Sequence, residues 1–364
     1  MNTPRKIPAT LSGKLLRLGI GIFLTMAMLY LALVWWCAKE IAEPSRRSAE
    51  APHLTYFDGS AKAGFAVEKF VSSDGMPCLV CTPQHVDEFS KKAGTIRGQL
   101  SGQGISLKPA GEVIGTLLIL HGRSGIKENY LAVAERFCAV GFRCVIPDLP
   151  GQGFTRPGSR GRFGIEPMAE DLAALINAAG WQPGLIIGHS AGVPLALQLS
   201  TRVPVRAVIG LNAALGQFDG AAGFLFPLVA RALAATPFVP SMVSRLWGNE
   251  QKVRDLITGT GSRLDEAGIA QYLTLVRRAA HVDGTLAMMA AWRVDRLMAG
   301  AAALKIPTLL VANAGDRLVP PKVSRDAARI LPRAELREMP ALGHLAHEED
   351  AGAVLATFAD WLER

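Results

Sequence analysis

The chain has 364 residues, 49% hydrophobic and 19% charged, which excludes a largely disordered protein and suits one large α/β domain with insertions or two ordinary domains. Its net charge of +8 comes from scattered basic residues with no nucleic-acid motif among them, so nucleic acid is set aside as a partner. Five cysteines (Cys37, Cys78, Cys81, Cys138 and Cys144), odd in number and irregular in spacing, exclude a disulfide framework. Cys78 and Cys81 form a C-x-x-C, but no second pair or histidine sits at metal spacing, and "MPCLVCTP" reads as a short strand with small buried side chains.

Residues 1–17 are a basic tail carrying Arg5, Lys6, Lys14 and Arg17. Residues 18–38, "LGIGIFLTMAMLYLALVWWCA", hold no charge and match the ~20 residues a helix needs to cross a bilayer core. Tyr30, Trp35 and Trp36 fall toward the C-terminal side, where an interfacial aromatic belt forms. The rival reading is a cleaved signal peptide, whose apolar region is shorter and ends in small residues. A lipoprotein reading of Cys37 is disfavoured by the bulky Trp36 before it. The expectation is one transmembrane helix in the cell inner membrane, single-pass. The basic tail favours a cytoplasmic N-terminus and an extracytoplasmic domain, although Lys39, Arg46 and Arg47 make the charge asymmetry small.

Residues 39–53 read as a polar linker with two prolines, and 54–364 as the folded domain. "HLTYF", "FAVEKFV" and "PCLVCTP" are β-rich pieces, and the polar, glycine-rich stretch from His85 to Gly111 reads as an exposed loop. From Val113 strands and helices alternate. "VIGTLLILHG", "FRCVIPDLPG", "GLIIGHS" and "VRAVIGLNA" are strands, separated by the helices "NYLAVAERFCAVG", "MAEDLAALINAAG" and "AGVPLALQLSTR". That rhythm predicts βαβ units and a mostly parallel central sheet flanked by helices. It stops over about 213–304, which reads as a helical cap insertion, then resumes with the strands "IPTLLVANAGD" and "AELREMPALGH" and the closing helix "AGAVLATFADWLE".

The strand–turn–helix "LIIGHSAG" carries a G-x-S-x-G in the context that gives this motif meaning: Gly188 and Gly192 allow a tight turn, and Ser190 projects from its tip. A serine hydroxyl needs a base. Asp316 follows the strand "LLVAN" and His344 lies in a Gly-His loop after the next strand, both at C-terminal strand ends on the same edge as Ser190. In this reading His344 takes the Ser190 proton and Asp316 orients the imidazole. His347 is an alternative base, otherwise a polar helix start, and Asp219 an alternative acid. His189 reads as structural and Asp148 as shaping its turn. The turn "HGRSG", with His121 and Gly122, supplies the Arg123 backbone N–H, which with that of Ala191 forms a candidate oxyanion hole. The Arg123 side chain either meets an anionic substrate group or faces solvent.

In this order "HG", "DLPGQG", "GHSAG", "GDRLVP" and "GHLAHEE" resemble the α/β-hydrolase fold superfamily over about 113–364. "GFTRPGSRGRFGIEPMAEDLAALI", "LNAALGQFDGAAGFLFPLVARALA" and "GTGSRLDEAGIAQYLTLVRRAAHVDGTLAMMAAW" look more narrowly like the magnesium-chelatase accessory hydrolases of bacteriochlorophyll biosynthesis. The first hundred-odd residues depart from that family, and Arg123 sits where the resemblance leads one to expect a small polar residue.

These readings converge on a membrane-anchored serine hydrolase cleaving a carboxylic ester or thioester of an apolar substrate through an acyl-Ser190 intermediate, with no metal or organic cofactor. The alternative is a non-enzymatic or non-hydrolytic accessory protein of tetrapyrrole biosynthesis, binding a porphyrin or a chelatase subunit.

Overall fold

The computed structural model describes residues 104–107, 113–153, 155, 160–216, 233, 236 and 238–362. The basic tail, the expected transmembrane helix over 18–38, the linker over 39–53, the early β-rich pieces, Cys37, Cys78, Cys81 and Asp219 all lie outside those residues. Among the described residues no helix is long and apolar enough to cross a membrane.

Seven described strands form one sheet in the order β1-β3-β2-β4-β5-β6-β7. They are β1 (Gly104–Leu107), β2 (Gly115–Leu120), β3 (Phe142–Pro147), β4 (Pro183–His189), β5 (Ala207–Leu211), β6 (Thr308–Asn313) and β7 (Ala334–Met339). β2 to β7 run parallel, and β1 pairs antiparallel with β3. β1 corrects the expectation of an exposed loop from His85 to Gly111: "GISL" pairs along the outer side of β3 inside that polar stretch. Four residues in polar surroundings carry too little periodicity to be seen beforehand.

The apolar runs become interior strands because both faces of a parallel sheet are covered. Leu118 and Leu120 face one layer with Ile186, Val208 and Leu310, against α2 (Ile165–Ala179) and α3 (Gly192–Leu199). Leu117 and Ile119 face the other with Ile187, Ile209 and Val311, against α1 (Leu131–Ala139) and the C-terminal segment. Cys138 and Cys144 are buried free thiols in that second layer.

Between β5 and β6 lie α4 (Val239–Trp247), α5 (Glu250–Gly259), α6 (Glu266–Val276), α7 (Ala279–Ala291) and α8 (Val294–Ala299), the expected helical insertion. α5 and, after β6, α9 (Pro321–Ile330) were not expected; each buries only two side chains, Val253 and Ile257 or Ser324 and Ala327. The expected closing helix is instead α11 (Ala351–Ala356) and α12 (Ala359–Leu362), following the one-turn α10 (Ala346–Glu349).

β2, β4 and α3 meet in a close backbone contact at the sheet edge. A β-carbon on Gly192 would stand 2.1 Å from the Leu120 carbonyl oxygen, whereas one on Gly184, in β4, meets nothing within 4 Å. Gly192→Ala should therefore cost about 3 kcal/mol, because backbone rather than a movable side chain must give way. Gly184→Ala should stay within about 0.5 kcal/mol of the parent. Denaturant titration of both variants checks this, and equal stability would show that α3 can lift off β2 cheaply.

Candidate active site

Ser190 sits at the step from β4 into α3 with φ 51°. A non-glycine residue in this left-handed region is strained by about 1–2 kcal/mol. The surroundings hold it there: Ser190 N donates to the Leu211 carbonyl at 2.9 Å, and its own carbonyl accepts from Val193 N and Ala214 N, both at 3.1 Å.

Asp316 follows β6. Its Oδ1 accepts from the Leu318 and Val319 amides, each at 2.8 Å, and its Oδ2 accepts from His344 Nδ1 at 2.8 Å. A carboxylate only accepts, so His344 Nδ1 carries a proton, and in the neutral imidazole that tautomer leaves the lone pair on Nε2. The His344 carbonyl in turn accepts from His189 Nε2 at 2.8 Å and Asn212 Nδ2 at 2.9 Å. His189 is thus structural, as expected, and seats the His344 loop beside the residue that precedes Ser190. Asn212 escaped the sequence reading. With φ 48° at the end of β5, it also donates to the Gly343 carbonyl at 3.1 Å and accepts from Asn313 N at 3.1 Å and Asn313 Nδ2 at 2.7 Å. The available signal was a polar side chain closing the apolar run "VRAVIGL" at the sheet edge that also carries Ser190.

The α5–α6 connection wedges between these loops. The Thr260 carbonyl accepts from Arg317 N at 3.0 Å and His344 N at 3.4 Å, and Ser262 Oγ accepts from Leu345 N at 2.8 Å. Gly261 has φ +87°, and a β-carbon there would stand 1.9 Å from the Gly315 carbonyl oxygen. Val253, Ile257, Ile269, Tyr272 and Leu275 of α5 and α6 pack with Ile126 and Leu345 in a small core of their own. The cap is therefore fastened to the loops bearing Asp316 and His344.

His121 is fully buried after β2. Its Nε2 accepts from Leu149 N at 2.8 Å, so its proton is on Nδ1, which donates to the Gly122 carbonyl at 2.8 Å. Burial pushes its pKa down and keeps it neutral. A β-carbon on Gly122 would stand 3.1 Å from Ser190 Cβ, which brings this loop against the serine turn. Gly125 N donates to the Gly122 carbonyl at 3.0 Å, closing a turn with Arg123 and Ser124 at its corners. Among the described residues neither the Arg123 nor the Ala191 amide donates to a protein acceptor. The Arg123 side chain is half-buried, not extended into solvent. The Asp148 side chain reaches across to the loop after β2 rather than into its own turn: Oδ1 accepts from Lys127 N and Oδ2 from Lys127 Nζ, both at 2.8 Å.

The family model described as alpha/beta hydrolase fold matches residues 115–351. The chain belongs to the α/β-hydrolase superfamily. Over 247 residues the chain is 44% identical to a magnesium-chelatase 30 kDa subunit of Rhodobacter capsulatus, covering 68% of its own length and 86% of that protein. It is 28% identical over 218 residues to a 2-hydroxymuconate semialdehyde hydrolase of Pseudomonas putida, covering 57% of its own length and 73% of that one. Its fold is shared with a lipase candidate of Acinetobacter baumannii AYE, with TM-score 0.64 and 18% identity over 86% of this chain and 96% of the other.

His347 is not placed to act as the base. It begins α10 as expected, but it is buried and stacked on Tyr130, ring centroids 4.4 Å apart, and neither ring nitrogen has a hydrogen-bond partner among the described residues. Burial holds its pKa down at about 3. Its neighbour Glu348 accepts from Tyr272 Oη and Asn129 Nδ2, both at 2.7 Å. Burial nevertheless pushes the Glu348 carboxyl from 4.5 up to about 7.

An unfolding chain releases the Glu348 proton between about pH 4.5 and 7, while the folded chain still holds it. Stability supplied by the protonated form is therefore lost as pH rises through that window and levels off above it. Glu348→Gln preserves the shape without the charge. Its advantage over the parent should be absent below about pH 4.5 and reach on the order of 3 kcal/mol above pH 7. Unfolding at pH 4.5 and pH 8 checks this, and a pH-independent difference would contradict it. Ser262→Ala strands the buried Leu345 amide and should cost about 1–3 kcal/mol by denaturant titration. An unchanged midpoint would show that the cap does not brace this loop.

Proposed function

We propose that this chain is a membrane-anchored serine hydrolase that cleaves a carboxylic ester or thioester through an acyl-Ser190 intermediate. The observation that carries the reading is the 2.8 Å Asp316–His344 hydrogen bond, with the His344 carbonyl tied to His189, the residue before the strained Ser190. Ser190 Oγ attacks the scissile carbonyl carbon while its proton passes to His344 Nε2. The developing oxyanion accepts from the Arg123 and Ala191 amides. Collapse breaks the bond to the leaving oxygen or sulfur, which takes the proton from His344. Water then repeats the sequence on the acyl-serine, releasing a carboxylic acid and restoring Ser190. Asp316 keeps the imidazole in the tautomer that exposes Nε2 and stabilises its cation. The reading calls for no metal or organic cofactor.

The cap is rich in Leu, Phe, Met and Ala, which favours an apolar acyl chain or ring in the substrate. The uncharged segment 18–38 serves as the single-pass inner-membrane anchor, with the domain outside the cytoplasm. A second reading is favoured by the likeness to the magnesium-chelatase 30 kDa subunit: an accessory protein of tetrapyrrole biosynthesis that binds a porphyrin or a chelatase subunit.

A fluorophosphonate probe on the membrane-bound protein separates the two. It should label the wild type and neither Ser190→Ala nor His344→Ala. A folded wild type that resists labelling would favour the accessory reading, with porphyrin binding as its direct assay. The labelling rate should also fall on acidification, because an imidazolium has no lone pair for the serine proton. A rate flat from acid to neutral pH would remove His344 as the base.

A further inference from the structure

Arg123 occupies a corner of the turn whose neighbouring residue, Gly122, abuts Ser190. Three features of its side chain stand together. It is half-buried, so part of it remains reachable from solvent. The protein around it is dense enough that burial alone pulls its pKa down, with no carboxylate opposing the shift. Among the described residues it has no hydrogen-bond or ion-pair partner. A guanidinium does not shed its proton to escape such a place, and its five donors call for an acceptor.

The turn itself is firmly held, so this position is not a stray surface loop. Ser124 N donates to Gln152 Oε1 at 3.0 Å, and Ser124 Oγ donates to Thr285 Oγ1 of α7 at 3.2 Å. Gly153 N donates to His281 Nδ1 of α7 at 2.9 Å, tying the cap to the adjoining loop. The guanidinium thus stands on a fixed turn, recessed and without a counter-charge among the described residues, on the same residue whose amide is the candidate oxyanion donor. A purely apolar substrate closing over it would strip its water and leave a buried charge unpaired. A ligand carrying an anion would complete it with charge-assisted, two-pronged hydrogen bonds.

We propose that Arg123 is the seat for a carboxylate of the substrate, so that the compound cleaved is an apolar ester or thioester bearing one free carboxylate a short chain away from the scissile carbonyl. This rests on the hydrolase reading for the word cleaved, but the anion seat itself is a binding property and can be tested without turnover. It revises the wholly apolar substrate expected from the cap composition into an amphipathic one.

The test is calorimetric titration of full-length Ser190→Ala protein with monomethyl adipate and with methyl hexanoate, two esters of matched length that differ in one terminal carboxylate. The carboxylate ester should bind about ten- to hundredfold more tightly, as a hydrogen bond to a charged group implies. Adding Arg123→Gln should abolish that ratio, and adding Arg123→Lys should keep part of it, since the charge remains while the planar fork is lost. Comparing the two ligands within each variant cancels general damage to the protein. No discrimination in the Arg123 protein, including no measurable binding of either ester, would overturn the proposal, and so would a preference that survives Arg123→Gln. A retained, Arg123-dependent preference in a protein that fluorophosphonate fails to label would reject the hydrolase reading and leave the anion seat standing.

Discussion

The close approach of β2, β4 and α3 at the C-terminal edge of the sheet is the constraint on which the rest of the site depends. With no β-carbon on Gly192, α3 can start against the Leu120 carbonyl, and the chain must then reverse within Ser190 and Ala191. The cost appears as the left-handed backbone of Ser190, and three hydrogen bonds, from the end of β5 and the start of α3, hold it. The same approach brings Gly122 against the serine, so one packing decision sets the nucleophile candidate and the oxyanion turn together.

Around that edge the protein has gathered imidazoles and kept them uncharged. Burial pushes the pKa of His121, His189, His281 and His347 down, in the last two to about 3. Each except His347 has a backbone partner that fixes its orientation. His344 differs in its partner: its Nδ1 donates to the Asp316 carboxylate rather than to a backbone group. Of the surrounding neutral rings, His121, His189 and His281 hold loops in place without adding positive charge beside it.

The parallel sheet, the positions of Ser190, Asp316 and His344, and the structural part of His189 were legible in the sequence. Apolar strands buried on both faces leave long uninterrupted runs, and turn residues at their ends mark the edge where loops converge. β1, α5 and α9 were not, because four residues in polar surroundings, or helices burying two side chains each, leave little periodic trace. Asn212 was hidden for another reason. Its importance lies in partners near positions 313 and 343, which only the folded chain brings together. That Arg123 has no partner among the described residues was equally invisible, since sequence shows a charge but not its neighbours.

The strap from Thr260 to Ser262 has a consequence for how this protein could have diversified. In a hydrolase whose cap merely rests on the sheet, cap sequences can recombine freely and change substrate range alone. Here the cap backbone threads between Gly315 and Gly343, with Thr260 and Ser262 accepting from the loops on either side. An exchanged cap would have to reproduce that three-residue passage or misalign the acid–base pair. Innovation in substrate range is thereby confined to the outer helices, and the strap would be inherited as part of the core.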